Sequence, residues 1–85
     1  MKYAIFATTT LQDCWIKDSV CESLAAMAEY IHKNRWKLDK ITNLKSPGLQ
    51  GDWGVYHYEP GKKLSELHLT DLELAELKLR EEDLR

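Results

Sequence analysis

The chain has no long hydrophobic run. No uninterrupted apolar stretch exceeds the five residues of Tyr3-Ala4-Ile5-Phe6-Ala7, too short to span a membrane. It is also short for a secretory-signal core, and three threonines follow it rather than a small-residue cleavage site. A cytoplasmic protein without a membrane partner is expected. Cysteine is scarce: Cys14 and Cys21 stand seven residues apart with no CxxC. That excludes a disulfide scaffold, a zinc finger and a dithiol redox motif. Two prolines and four glycines in 85 residues, with 44% hydrophobic and 31% charged side chains, exclude collagen and low-complexity disorder. No charge sign dominates. Twelve Lys and Arg stand against fourteen Asp and Glu, a net charge of −2, so no overall field draws the chain onto DNA or an acidic surface.

Signatures of chemistry are also missing. There is no GxxxxGK or GxGxxG phosphate cradle. His32, His57 and His68 lack the paired spacing of metal ligands. Cys21 falls in the expected first turn of a helix, where the helix dipole lowers a thiol pKa. His32, three turns further along that helix, is too far to act as its base. No catalytic residue, metal or cofactor is nominated, and a non-enzymatic protein is expected.

What is present is a set of elements. Residues 2–8 (KYAIFAT) are nearly continuous in apolar side chains, the pattern of a strand covered on both faces. Residues 9–18 read as a loop whose Leu11, Trp15 and Ile16 fold back over the sheet edge. Ser19 and Glu22 have capping-box spacing. Val20, Leu24, Met27, Ala28 and Ile31 then form an amphipathic helical stripe, with Asn34 as its stop signal. Residues 36–44 read as a second strand, although Ile41 breaks the alternation begun by Trp36 and Leu38. Ser46-Pro47-Gly48-Leu49 has the type II turn pattern. A third strand follows over 53–59, with Trp53, Val55 and His57 on one face and Tyr56 and Tyr58 on the other. The expectation is a small α+β fold: a β-α-β-β sheet over 1–63 with one packed helix and a parallel first crossover, followed by a leucine-rich helix over 64–85.

The last segment is the unusual one. Leu64, Leu67, Leu69, Leu72, Leu74, Leu77 and Leu79 alternate spacings of three and two. A five-residue period also occurs in stacked solenoids, but three units cannot complete one. A helix is therefore expected. Thr70 and Glu73 make a capping box, and Leu69 and Leu74 occupy the flanking staple positions. On a helical wheel Leu74, Leu77 and Leu84 lie on one side and Leu72, Ala75 and Leu79 almost opposite. A helix with two apolar faces must be covered twice. This points to a protein-interaction or regulatory module that binds itself as a homodimer, or another protein, through Leu72, Leu77, Leu79 and Leu84. Glu73, Glu76, Glu81, Glu82 and Asp83 form an acidic rim.

A second reading comes from charge distribution. Residues 32–63 carry seven cations against three acids, and residues 64–85 carry seven acids against three cations. Arg35, Trp36, Lys37, Lys40, Trp53, Tyr56 and Tyr58 mix cations with aromatics, as single-stranded nucleic-acid readers do. The acidic tail would then compete for the basic surface.

Overall fold

A computed structural model describes residues 1–9, 13–42 and 51–84. The expected Ser46–Leu49 turn and the position of Leu11 lie outside the described residues. The elements are β1 (Tyr3–Thr9), β2 (Asp13–Cys21), α1 (Leu24–Lys33), α2 (Arg35–Thr42), β3 (Gly51–His57), a short 3-10 turn (Leu64–Glu66) and α3 (Asp71–Asp83). The three strands form one sheet in the order β2-β1-β3, with both pairings antiparallel. This is a small α+β fold with the expected number of strands, a helix packed on the sheet and a C-terminal leucine-rich helix.

Two segments differ from the sequence expectation. Residues 13–21 form a strand rather than a loop and the start of a helix. Residues 35–42 form a helix rather than a strand. The element β2, directly after β1, supplies the third strand, so the first connection is an antiparallel hairpin and not a parallel crossover. In α2 the break in alternation at Ile41 has a helical cause. Leu38 is buried and Ile41 packs beside the core, three residues apart on one helix face, while Trp36 is exposed.

Ser19 is not a helix cap. β2 carries an extended bulge, because the pairing jumps from Ile5↔Ile16 to Tyr3↔Cys21. Ser19 is buried inside it. The Ile5 N–H donates to Ser19 Oγ at 2.7 Å, and that hydroxyl donates to the Ile16 carbonyl at 2.6 Å. One hydroxyl thus satisfies a donor and an acceptor that the bulge would otherwise strand. The cap of α1 is Ser23, whose side chain accepts from the Ala26 N–H at 3.1 Å. Val20 accordingly belongs to β2, and the helical stripe reduces to Leu24, Met27, Ala28 and Ile31, all buried. Asn34 ends α1 as expected. Its backbone N–H and side-chain amide both donate to the Tyr30 carbonyl at 2.9 Å, and its own carbonyl accepts the first hydrogen bonds of α2.

α3 begins as its sequence dictates. Glu73 N–H donates to Thr70 Oγ1 at 3.2 Å, and Thr70 N–H donates to Glu73 Oε1 at 3.0 Å. The approach to α3 is tied to β3 by a His57 N–H to Leu67 carbonyl hydrogen bond of 2.8 Å and a Tyr56↔His68 bridge. One continuous core joins Tyr3 and Ile5 to Leu24, Met27, Ala28, Ile31, Leu38, Leu69 and Leu77. All three helices contribute to it from one side of the sheet.

Candidate interaction surfaces

The leucines of α3 separate by helix face. Leu77 is buried and Leu84 packs beside the core, so both are turned toward the body of the protein. Leu72 and Leu79 are 84% and 63% exposed. The four residues expected to bind a partner therefore do not share one surface. At about 100° per residue, Leu72, Ala75 and Leu79 form an outward strip, and Leu74 stands half-exposed at the flank. Exposed Asp71, Glu76, Glu82 and Asp83 border that strip on both sides. Lys78 and Arg80 fall outside this arc, although Arg80 reaches back to Glu76 at 3.6 Å. The outward face is an apolar strip with a carboxylate border.

The expected aromatic and basic surface is divided among three places. Trp53 packs against the core on the helix-covered face of the sheet. Tyr56 and Tyr58 belong to the opposite face. Arg35, Trp36, Lys37 and Lys40 are exposed on α2, which packs on the covered side. Trp36 is 58% exposed, with Lys40 Nζ 5.1 Å and Lys37 Nζ 5.9 Å from its ring centroid. Arg35 pairs with Asp39 at 3.5 Å, and Lys37 approaches Asp18 at 3.8 Å.

The face of the sheet away from the helices carries a cluster of rings. Trp15 meets Phe6, Tyr56 and Tyr58 edge to face at centroid distances of 5.2, 6.4 and 5.1 Å, and His68 lies 5.4 Å from Tyr56. The Tyr56 ring also lies over Gly54, whose missing side chain makes room for it. Phe6, Trp15, Tyr56 and Tyr58 pack against one another's edges, which half-buries them with no covering layer among the described residues. Asp13 and Asp52, both paired with Thr8, place carboxylates at one end of this face.

A polar cluster that the sequence reading missed ties α3 to the sheet. Tyr3 Oη donates to Glu73 Oε2 at 2.9 Å, and His57 Nε2 lies 2.9 Å from Glu73 Oε1. Burial pushes the Glu73 carboxyl up. Hydrogen bonds from the Thr70 backbone, Tyr3 and His57 outweigh that effect and hold it below the ordinary value of 4.5. Burial, followed by the bond to Glu73, pushes the Tyr3 hydroxyl up. Glu73 is thus turned inward and is no part of an outward acidic rim. The only sequence signal for this was the capping box, which fixed where Glu73 begins but not what else it reaches. Cys21 ends β2 instead of opening a helix, and burial pushes its thiol up.

Among the described residues, no helix is long and apolar enough to cross a membrane. Comparison with protein-family models, curated proteins and solved structures finds no match for this chain.

Proposed function

We propose that this protein is a non-enzymatic interaction module that associates with itself through the outward face of α3. One observation carries the reading. Leu72 and Leu79 stand exposed on a helix whose other face is already docked through Leu77 and Leu84. Neither leucine belongs to the core, and leaving them largely in water forgoes burial worth at most about 1.5–3 kcal/mol each. Covering such a strip is the common driving force of association, and two-fold pairing is its commonest outcome.

Sedimentation equilibrium over a range of protein concentrations tests the proposal. The wild-type chain is expected to show concentration-dependent association. A Leu72→Glu, Leu79→Glu double variant should remain monomeric with an unchanged circular dichroism spectrum. Equal association of the two proteins would remove the proposal.

A further inference from the structure

We infer that the receptor for the outward face of α3 is α2 of a second copy, with Trp36 seated on the Leu72–Leu79 strip and the contact made twice about a two-fold axis. This rests on the self-association reading above and adds the identity of the opposing surface.

The first argument is charge. If two α3 helices met face to face, Asp71, Glu76, Glu82 and Asp83 of one copy would oppose the same four carboxylates of the other. Like charges brought together in this way resist docking. The strip needs a partner whose apolar centre has a cationic border. On this chain the described residues offer two exposed aromatic regions. The bare sheet face has Asp13 and Asp52 at one end, the wrong sign for that end of an acidic strip. The outer face of α2 has the right one: Trp36 at its centre, Lys37 and Lys40 beside the ring, Arg35 at its start, and Asp39 as the single acid.

The second argument is placement. Arg35, at the start of α2, lines a shallow hollow together with Leu74, Leu77, Lys78, Glu81 and Glu82 of α3. The start of α2 therefore lies beside α3. A two-fold axis can set α2 of each copy on α3 of the other, a closed arrangement that would bury both strips and both tryptophans. A large indole entering an apolar strip with a charged border has the chemistry of an interface hot spot.

Sedimentation with three sets of variants tests this, each checked for folding by circular dichroism. Trp36→Ala should weaken self-association roughly thirtyfold, the size of a hot-spot loss. Lys37→Glu with Lys40→Glu should not self-associate, and neither should Glu76→Lys with Asp83→Lys. An equimolar mixture of these two charge variants should associate again, because each α2–α3 contact then joins opposite signs. Added salt should weaken the wild-type association, since the contact joins unlike charges. Wild-type-like association of the Lys37→Glu, Lys40→Glu protein would overturn the inference and leave the role of α3 standing. Association strengthened by salt would do the same, because it would mark the α3-on-α3 pairing. Association unaffected by Leu72→Glu with Leu79→Glu would remove the role of α3 itself, and a wild-type protein that stays monomeric at every concentration would remove both.

Discussion

The two faces of the sheet solve the same problem in different ways. On one, Tyr3, Ile5 and Val55 lie under three helices in a continuous apolar core. On the other, Phe6, Trp15, Tyr56 and Tyr58 have no layer above them among the described residues and cover one another edge to face. Ile5 and Phe6 are neighbours on β1, yet one is fully buried and the other only partly. The described helices seal one side only. Large rings do on the second side what another helix would do in a larger domain. The difference teaches that aromatic content alone does not mark a binding surface, because rings that satisfy one another's edges already have a structural use.

Substitutions on the two faces sharpen that contrast. Ile5→Ala opens a cavity beneath the helices and should cost about 2–5 kcal/mol in urea or thermal unfolding. Ser19→Ala strands the Ile5 N–H and the Ile16 carbonyl inside the bulge, and a cost of about 1–3 kcal/mol is expected. A melting curve identical to wild type would show that the bulge has another means of satisfying them. Glu73→Gln weakens the charge-assisted bonds from Tyr3 and His57 and should cost about 1–2 kcal/mol near neutral pH. Glu73 has a lowered pKa in the folded protein. Its contribution is therefore complete above the ordinary value of 4.5 and disappears as the pH falls through the lower folded value. Acid titration of stability should show wild type and Glu73→Gln converging at the acid end. Phe6→Leu retains most of the apolar area and loses only edge-to-face contacts, so about 1 kcal/mol is expected. A Phe6→Leu loss as large as that of Ile5→Ala would break the comparison and show the bare face to be as tightly packed as the covered one.

The sequence was legible wherever one local signal had no competitor. Thr70 and Glu73 marked the start of α3, and the alternation of Trp53, Val55 and His57 against Tyr56 and Tyr58 assigned the two faces of β3 correctly. The two-sided character of α3 was also readable, because leucine has no reason to repeat on opposite sides of an isolated helix. The errors came where two readings competed. Ser19 and Ser23 are both capable caps, and Glu22 favoured the wrong one. Ser19 instead bonds across strands to Ile5, a partner fourteen residues away that no local pattern contains. In α2, Trp36 and Leu38 alternate over too few residues to separate a strand from one face of a short helix. Tertiary packing of Leu38 and Ile41 decides it. The Tyr3–Glu73–His57 cluster was invisible for the same reason, since its members come from three elements. The structure also redirects mutational design. Leu77 is buried, so a charge there would unfold the protein, whereas Leu72 and Leu79 can be changed without entering the core.

The bond from Tyr3 to Glu73 spans seventy residues of sequence, and this fixes an order of events at the ribosome. β1 is synthesised before the other elements described, yet the carboxylate that completes its first side chain follows only seventy residues later. Translation runs at about 5–20 residues per second, so the helix side of the sheet waits several seconds for its last cover. During that interval the nascent chain exposes the apolar surface that α3 will later hide, and it is then that a chaperone would find it.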